Sequence, residues 1–99
     1  MATFLVLRRR SGPRYDHSRP LEEQSGWKEH AAFMDALVDA GTVILGGPLA
    51  DEDRVVLIVE AESEAAARGA LERDPWTGTH LSIESIDRWS LRLDARNRR

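Results

Sequence analysis

The 99-residue sequence predicts an α+β architecture with the element order β-α-β-β-α-β, and three observations carry that prediction. A stretch with apolar residues at three- and four-residue steps, Trp27 to Val38, and an alanine-rich stretch, Glu64 to Arg73, alternate with four short apolar segments. The middle two segments, Thr42 to Leu49 and Arg54 to Ala61, are joined by Ala50-Asp51-Glu52-Asp53, a polar connection of hairpin length. Breakers fall between the elements, at Gly12-Pro13, Gly41 and Pro75.

In the first predicted strand, Ala2 to Arg9, Phe4 and Val6 alternate with Leu5 and Leu7, so both faces are apolar until the arginines begin. From Arg10 to Gln24 the pattern lapses into a loop long for a compact domain, and such loops often serve as lids. Pro20 followed by Leu21-Glu22-Glu23 can open a short helical turn there. Ser25 is the expected N-cap of the first helix, whose apolar stripe is Trp27, His30, Ala31, Met34, Leu37 and Val38, with Gly41 at the left-handed position that ends it. Val55 to Val59 has no polar alternation, as expected of a strand covered on both faces. Ser63 caps the second helix, Glu64 complements its dipole, and Pro75 stops it. A last strand runs from Leu81 to about Leu91, completing a single domain over residues 1–93, with a basic tail over 94–99 that holds Arg96, Arg98 and Arg99.

This order fits a ferredoxin-like antiparallel sheet with both helices on one face. Two helices leave the other face bare although its strands are apolar, so a homodimer through the sheet face is expected. If Val55, Leu57 and Val59 point away from the helices, they would supply that contact.

Composition narrows the function. Apolar residues make up 41% and charged residues 31%, and the net charge of −3 disfavours wholesale nucleic-acid binding. No apolar run approaches the ~18–20 residues of a membrane span, and Met1 to Leu7 lacks the charged region of a secretory leader, so a cytoplasmic, non-membrane protein is expected. There is no cysteine, hence no disulfide and no thiolate chemistry. The histidines and Glu29 lack metal-ligand spacing, and no dinucleotide fingerprint or nucleophile elbow is present, so neither a metal nor a cofactor is expected.

Tracing strand directions brings most chemically capable residues to one end of the sheet. The end of the first strand with its arginines, the start of the first helix with Trp27 and His30, Gly46-Gly47-Pro48, Arg54, Asp74-Pro75-Trp76 and His80 all collect there. Each has an ordinary structural explanation as well as a functional one. His30 is a core histidine or a proton carrier, and Asp74 is a turn residue or the acceptor that fixes the imidazole tautomer. The arginines Arg8, Arg9, Arg10, Arg14 and Arg19 are solvated ends or an anion-attracting rim, and Arg8 or Arg54 would hold an anionic substrate. Trp27, Trp76 and Trp89 are core or interface aromatics, or platforms for a ligand. Gly47 and Pro48 mark a turn or a close approach of ligand to backbone. His17 and His80 read as loop residues.

In order and spacing, His30 with Phe33-Met34 and Leu37, Ala40-Gly41, Gly46-Gly47-Pro48-Leu49, the apolar strand ending at Glu60-Ala61, Ser63 with its alanine-rich helix, Asp74-Pro75, and Ile86 to Trp89 resemble the YCII-related proteins over nearly the whole chain. The resemblance implies a dimeric α/β-barrel architecture and a site built on His30 and Asp74. Most such proteins have no assigned reaction, while some relatives are implicated in lyase-like chemistry on small ring compounds. The chain departs from the pattern at Arg88, where relatives often carry proline before the tryptophan, and in the long loop holding Tyr15 and His17. Two functional readings follow. One is a small cofactor-independent lyase or isomerase, with His30 as general base, Asp74 orienting it, and Arg8, Arg54, Gly47, Pro48, Trp27 and Trp76 contacting a small, anionic or ring-containing molecule. The other is a noncatalytic small-molecule-binding or accessory module built on the same pocket.

Overall fold

The computed structural model describes residues 1–97, so Arg98 and Arg99 of the expected tail lie outside the described residues. Four strands form one antiparallel sheet: β1 (Ala2–Arg9), β2 (Val43–Pro48), β3 (Arg54–Ala61) and β4 (Ser82–Arg88), in the order β2-β3-β1-β4. Helices α1 (Trp27–Asp39) and α2 (Glu64–Glu72) supply the two crossovers, and the strand order is that of the ferredoxin-like arrangement. The short turn at Leu21–Glu23 forms as a 3-10 helix. β4 ends at Arg88, short of the expected Leu91.

Alternation along the central strands decides which side chains meet the helices. Phe4 and Val6 of β1, with Leu57, Val59 and Ala61 of β3, are buried in one cluster with Ala67 and Leu71 of α2. Leu57 and Val59 therefore face the helices, which corrects the condition under which they, with Val55, would point away. The opposite parity forms the uncovered face: Leu5 sits across from Ile58, Leu7 across from Val56, and Leu45 of β2 across from Ile58. Leu45 is 63% exposed there.

The helix ends have different causes. Ser63 caps α2, its Oγ accepting from the Ala66 amide at 3.1 Å. α1 instead starts after Gly26, at φ 74°, with no side-chain cap, and Ser25 turns its hydroxyl to His80. A Cβ at Gly26 would lie 3.1 Å from the Trp76 indole nitrogen, so close packing takes precedence over capping.

The loop over 10–24 is tied at both flanks. Gly12 and Arg14 amides donate to the His80 and Thr79 carbonyls, and the buried Gln24 side chain accepts from the Asp16 amide while donating to the Asp16 and Arg19 carbonyls. Among the described residues no helix is long and apolar enough to cross a membrane.

Candidate active site

Arg8 and Arg9 end β1 and Arg10 follows directly, and the strand's alternation, carried one residue on, separates them. Arg8 follows Phe4 and Val6 inward and is 2% exposed, Arg9 points out to Asp53 and Glu84, and Arg10 turns inward again. A register shift between β1 and β4 at Leu7/Arg8 falls beside this inward turn.

Asp74, just beyond α2, is the anion that receives Arg8. Its carboxylate accepts from Arg8 Nη1 at 2.9 Å, from His30 Nδ1 at 2.8 Å to Oδ2 and 2.9 Å to Oδ1, and from the Trp76 amide at 2.9 Å. Its side chain has no exposed surface. Burial alone would push this carboxyl up, but the His30 and Trp76 hydrogen bonds and the His30 and Arg8 charges outweigh it, holding Asp74 below the usual carboxylate range. The Arg8 guanidinium is pulled below its ordinary value by burial, against the opposing pull of Asp74. It keeps its charge, because arginine titrates far above neutral pH.

An ionised carboxylate can only accept, so His30 Nδ1 carries the hydrogen in this contact. In the neutral imidazole the lone pair is then on Nε2, which has no hydrogen-bond partner among the described residues. The ring lies flat on Trp76, with centroids 4.0 Å apart and planes 4° from parallel, and His80 covers the indole's other face at 4.5 Å. Ser25 Oγ and Thr79 Oγ1 hydrogen-bond the two nitrogens of His80, each at 3.0 Å, and the Trp76 indole N–H donates to the Ser25 carbonyl. Burial, with the charges of Arg14 and His30, depresses the His80 pKa against the pull of Asp74. His80 is thus a buried, neutral face of an imidazole–indole–imidazole stack, whereas sequence reasoning placed it in an ordinary loop. The four-residue spacing from Trp76 was the available hint.

His30 opens onto a cavity of about 220 Å³ between α1 and the sheet. Trp27, Met34 and Trp76 wall it beside the imidazole, Gly46, Gly47 and Pro48 bound it along β2, Arg8 reaches it from β1 and Arg10 from just past the strand's end. The structure therefore brings together His30, Asp74, Arg8, Trp27, Trp76, Gly47 and Pro48. Arg54 lies outside this lining, with Nε 2.7 Å from Asp51. Arg10 takes a place in the wall that had been considered for Arg54. Trp89 is 44% exposed beyond the end of β4. Among the described residues no three His, Cys, Asp or Glu side chains converge as metal ligands.

The arrangement has a definite charge balance. With His30 neutral, Arg8 and Asp74 cancel. When His30 takes a proton the cluster gains one positive charge, which an anion in the cavity would offset in a weakly screened setting.

The YCII-related domain model matches residues 10–90. No curated protein sequence matches the chain. Among solved structures, 5-chloro-2-hydroxyhydroquinone dehydrochlorinase from Burkholderia phenoliruptrix AC1100, in complex with 2,5-dihydroxybenzoquinone, aligns with a TM-score of 0.52 at 24% identity, over 97% of this chain and 99% of that one. The likeness is one of fold.

Proposed function

This chain belongs to the YCII-related domain family, and we propose that it is a cofactor-independent enzyme of the lyase or isomerase kind in which His30 moves a proton on a small ring compound. The observation that carries this reading is the Asp74-bound imidazole: its Nδ1–H is held at 2.8 Å, Nε2 has no hydrogen-bond partner among the described residues, and His30 lines the cavity. Nε2 takes a proton from an acidic C–H or O–H of the substrate. The electron pair left behind moves into the ring, and either expels a leaving group or is reprotonated at a neighbouring carbon. Asp74 orients the imidazole and stabilises the imidazolium, and Arg8 offsets the negative charge of Asp74. General-base chemistry of this kind typically contributes ~10²–10⁴-fold.

The cavity supports a ring-sized substrate. At about 220 Å³ it lies below the ~300–1,000 Å³ of most small-molecule sites, and Trp27 and Trp76 offer flat apolar contact. Gly47 and Pro48 bound the far side. The architectural neighbour acts, by its name, on a chlorinated hydroxyhydroquinone, which suggests hydroxylated rings as the first compounds to try.

The same reading includes a cytoplasmic homodimer, with Leu5, Leu7, Leu45, Val56 and Ile58 as the joined faces. Ile58→Glu would place a charge at the centre of that face and convert the dimer to monomer in light scattering; a monomeric wild-type protein at micromolar concentration would refute the pairing.

The test of the chemistry is hydrogen–deuterium exchange at the ring C–H positions of 2,5-dihydroxybenzoquinone in D₂O, followed by proton NMR. Wild-type protein should accelerate exchange, and His30→Gln should remove at least ~10²-fold of the acceleration. Acceleration that survives His30→Gln would rule out His30 as the base. A noncatalytic binding module would bind the ring without accelerating exchange.

A further inference from the structure

We propose that Arg10 forms an anion-binding subsite at the wall shared by the His30 cavity and the polar cleft beside it, and that the molecule it recognises is a ring-sized organic carboxylate. The inference rests on reading the His30 cavity as the substrate site and adds to it the charge of the substrate.

Arg10 is 8% exposed, yet it has no carboxylate partner among the described residues. Its neighbours in the sequence and across the hairpin do: Arg8 is paired with Asp74, Arg9 with Asp53 and Glu84, and Arg54 with Asp51. Among the described residues its guanidinium has instead one hydrogen bond, from Nη1 to the neutral Glu52 carbonyl at 2.6 Å, and the Tyr15 ring 5.5 Å from its guanidinium carbon. A buried cation with neutral partners alone is unfavourable, and a counter-anion relieves that cost.

Its unused donors have somewhere to point. Arg8 Nε is the side-chain atom that is both buried and unpartnered among the described residues, so the free Nε–H and Nη2–H of Arg10 retain accessible surface. The open spaces that Arg10 lines are the 220 Å³ cavity, shared with His30, and a cleft of about 510 Å³ under the 10–24 loop. Nε and Nη2 form one edge of the guanidinium, and two parallel N–H groups on one edge match the two oxygens of a carboxylate.

The approach has a direction. The cleft carries Glu22, Asp51, Glu52 and Asp53; Asp51 and Asp53 are paired with Arg54 and Arg9, and Arg19 in the same wall is taken up by Asp16 and Glu23, while among the described residues no cation is paired with Glu22 or Glu52. That side repels an anion, whereas the His30 side offers apolar walls for the ring behind the carboxylate. A molecule seated this way has its carboxylate on Arg10 and its ring in the cavity that His30 lines. The cavity is too small for a nucleotide or a coenzyme thioester.

The probe is benzoate against its neutral isostere benzamide, read by the fluorescence of Trp27 and Trp76, both of which line the cavity. Wild-type protein should bind benzoate saturably and at least tenfold more tightly than benzamide. Arg10→Gln should abolish that discrimination, and Arg10→Lys, which keeps the charge but loses the fork, should retain part of it. His30→Gln should leave the discrimination in place while removing ring-proton exchange, so a failure of the proton-transfer reading is distinguishable from a failure of the subsite. If Arg10→Gln does not fold, the wild-type comparison and Arg10→Lys decide. Equal binding of the two probes, no saturable benzoate binding, discrimination that survives Arg10→Gln, or discrimination lost in His30→Gln but kept in Arg10→Gln would each overturn the proposal.

Discussion

Replacing Asp74 by asparagine keeps the side chain's shape and removes its charge, leaving the Arg8 guanidinium 2% exposed and without its counter-ion. The Nη1–Oδ2 distance of 2.9 Å puts the charge centres ~4 Å apart, where the attraction is ~4 kcal/mol at an effective dielectric of ~20. Breaking one side of a buried pair commonly costs ~3–5 kcal/mol, because the remaining ion stays desolvated. Against a total stability of ~5–15 kcal/mol for a domain of this size, Asp74→Asn should remove about a fifth of it or more. Urea unfolding followed by tryptophan fluorescence would read the loss directly. Arg8→Met in the Asp74→Asn background removes the stranded charge, so the double variant should be more stable than the sum of the two single losses by at least ~1.5 kcal/mol. A single-variant cost under ~1 kcal/mol, or additivity within ~0.5 kcal/mol, would mean that Arg8 and Asp74 do not form the buried pair on which the site depends.

Three further outcomes follow from other contacts. Asp51 is held down to about 2 by the Arg54 amide first, then the Arg54 side chain and the Asp53 amide, so NMR titration of its carboxyl should find that value. Its contribution to stability is present above the ordinary carboxylate pKa and is lost as pH falls through the folded value; titration near ~3.9 would contradict the turn geometry. His80 has its pKa depressed, mainly by burial, so the folded state disfavours its protonation. That makes stability complete above the unfolded value of ~6.5 and declining as pH drops below it, and His80→Gln should flatten the decline in thermal melts; an unchanged pH profile would show that His80 does not titrate this way. At Gly12 a Cβ would sit 2.3 Å from the Thr79 carbonyl oxygen, so Gly12→Ala should cost ~1–3 kcal/mol in urea unfolding by lifting the 10–24 loop from the 79–80 segment, and a neutral effect would show that the loop is not seated there.

Periodicity made the fold legible because the strongest local signals and the tertiary structure agree. The α1 stripe, the Ser63 cap, the β2–β3 hairpin and the Pro75 stop each report a backbone preference that packing does not override. The Ser25 cap failed for a tertiary reason: Trp76 fills the space against Gly26, and the Ser25 hydroxyl satisfies His80 instead. Direction tracing was enough to put His30 and Asp74 at one end of the sheet. It could not assign the arginines, because a charge run ending a strand reads as solvated until the sheet's inner face is known. Once Phe4 and Val6 fix that face, alternation alone sends Arg8 and Arg10 in and Arg9 out. The same choice of parity reassigned Leu57 and Val59 to the core, since an all-apolar strand contains no cue to which face the helices cover. The His80 stack left only the four-residue spacing from Trp76 as a hint, because the chain turns through Thr77-Gly78-Thr79, outside any helix, before placing the ring on Trp76.

The state of the His30 ring tests the central claim most directly. Long-range proton–nitrogen NMR on nitrogen-15-labelled protein, at a pH where the imidazole is neutral, distinguishes the two tautomers. The hydrogen bond to Asp74 predicts the Nδ1–H form, with Nε2 unprotonated toward the cavity, and a loss of that preference in Asp74→Asn. An Nε2–H tautomer in the wild-type protein, or the same tautomer ratio after Asp74→Asn, would contradict the account, because Nε2 would then have no lone pair set by Asp74 with which to take a proton.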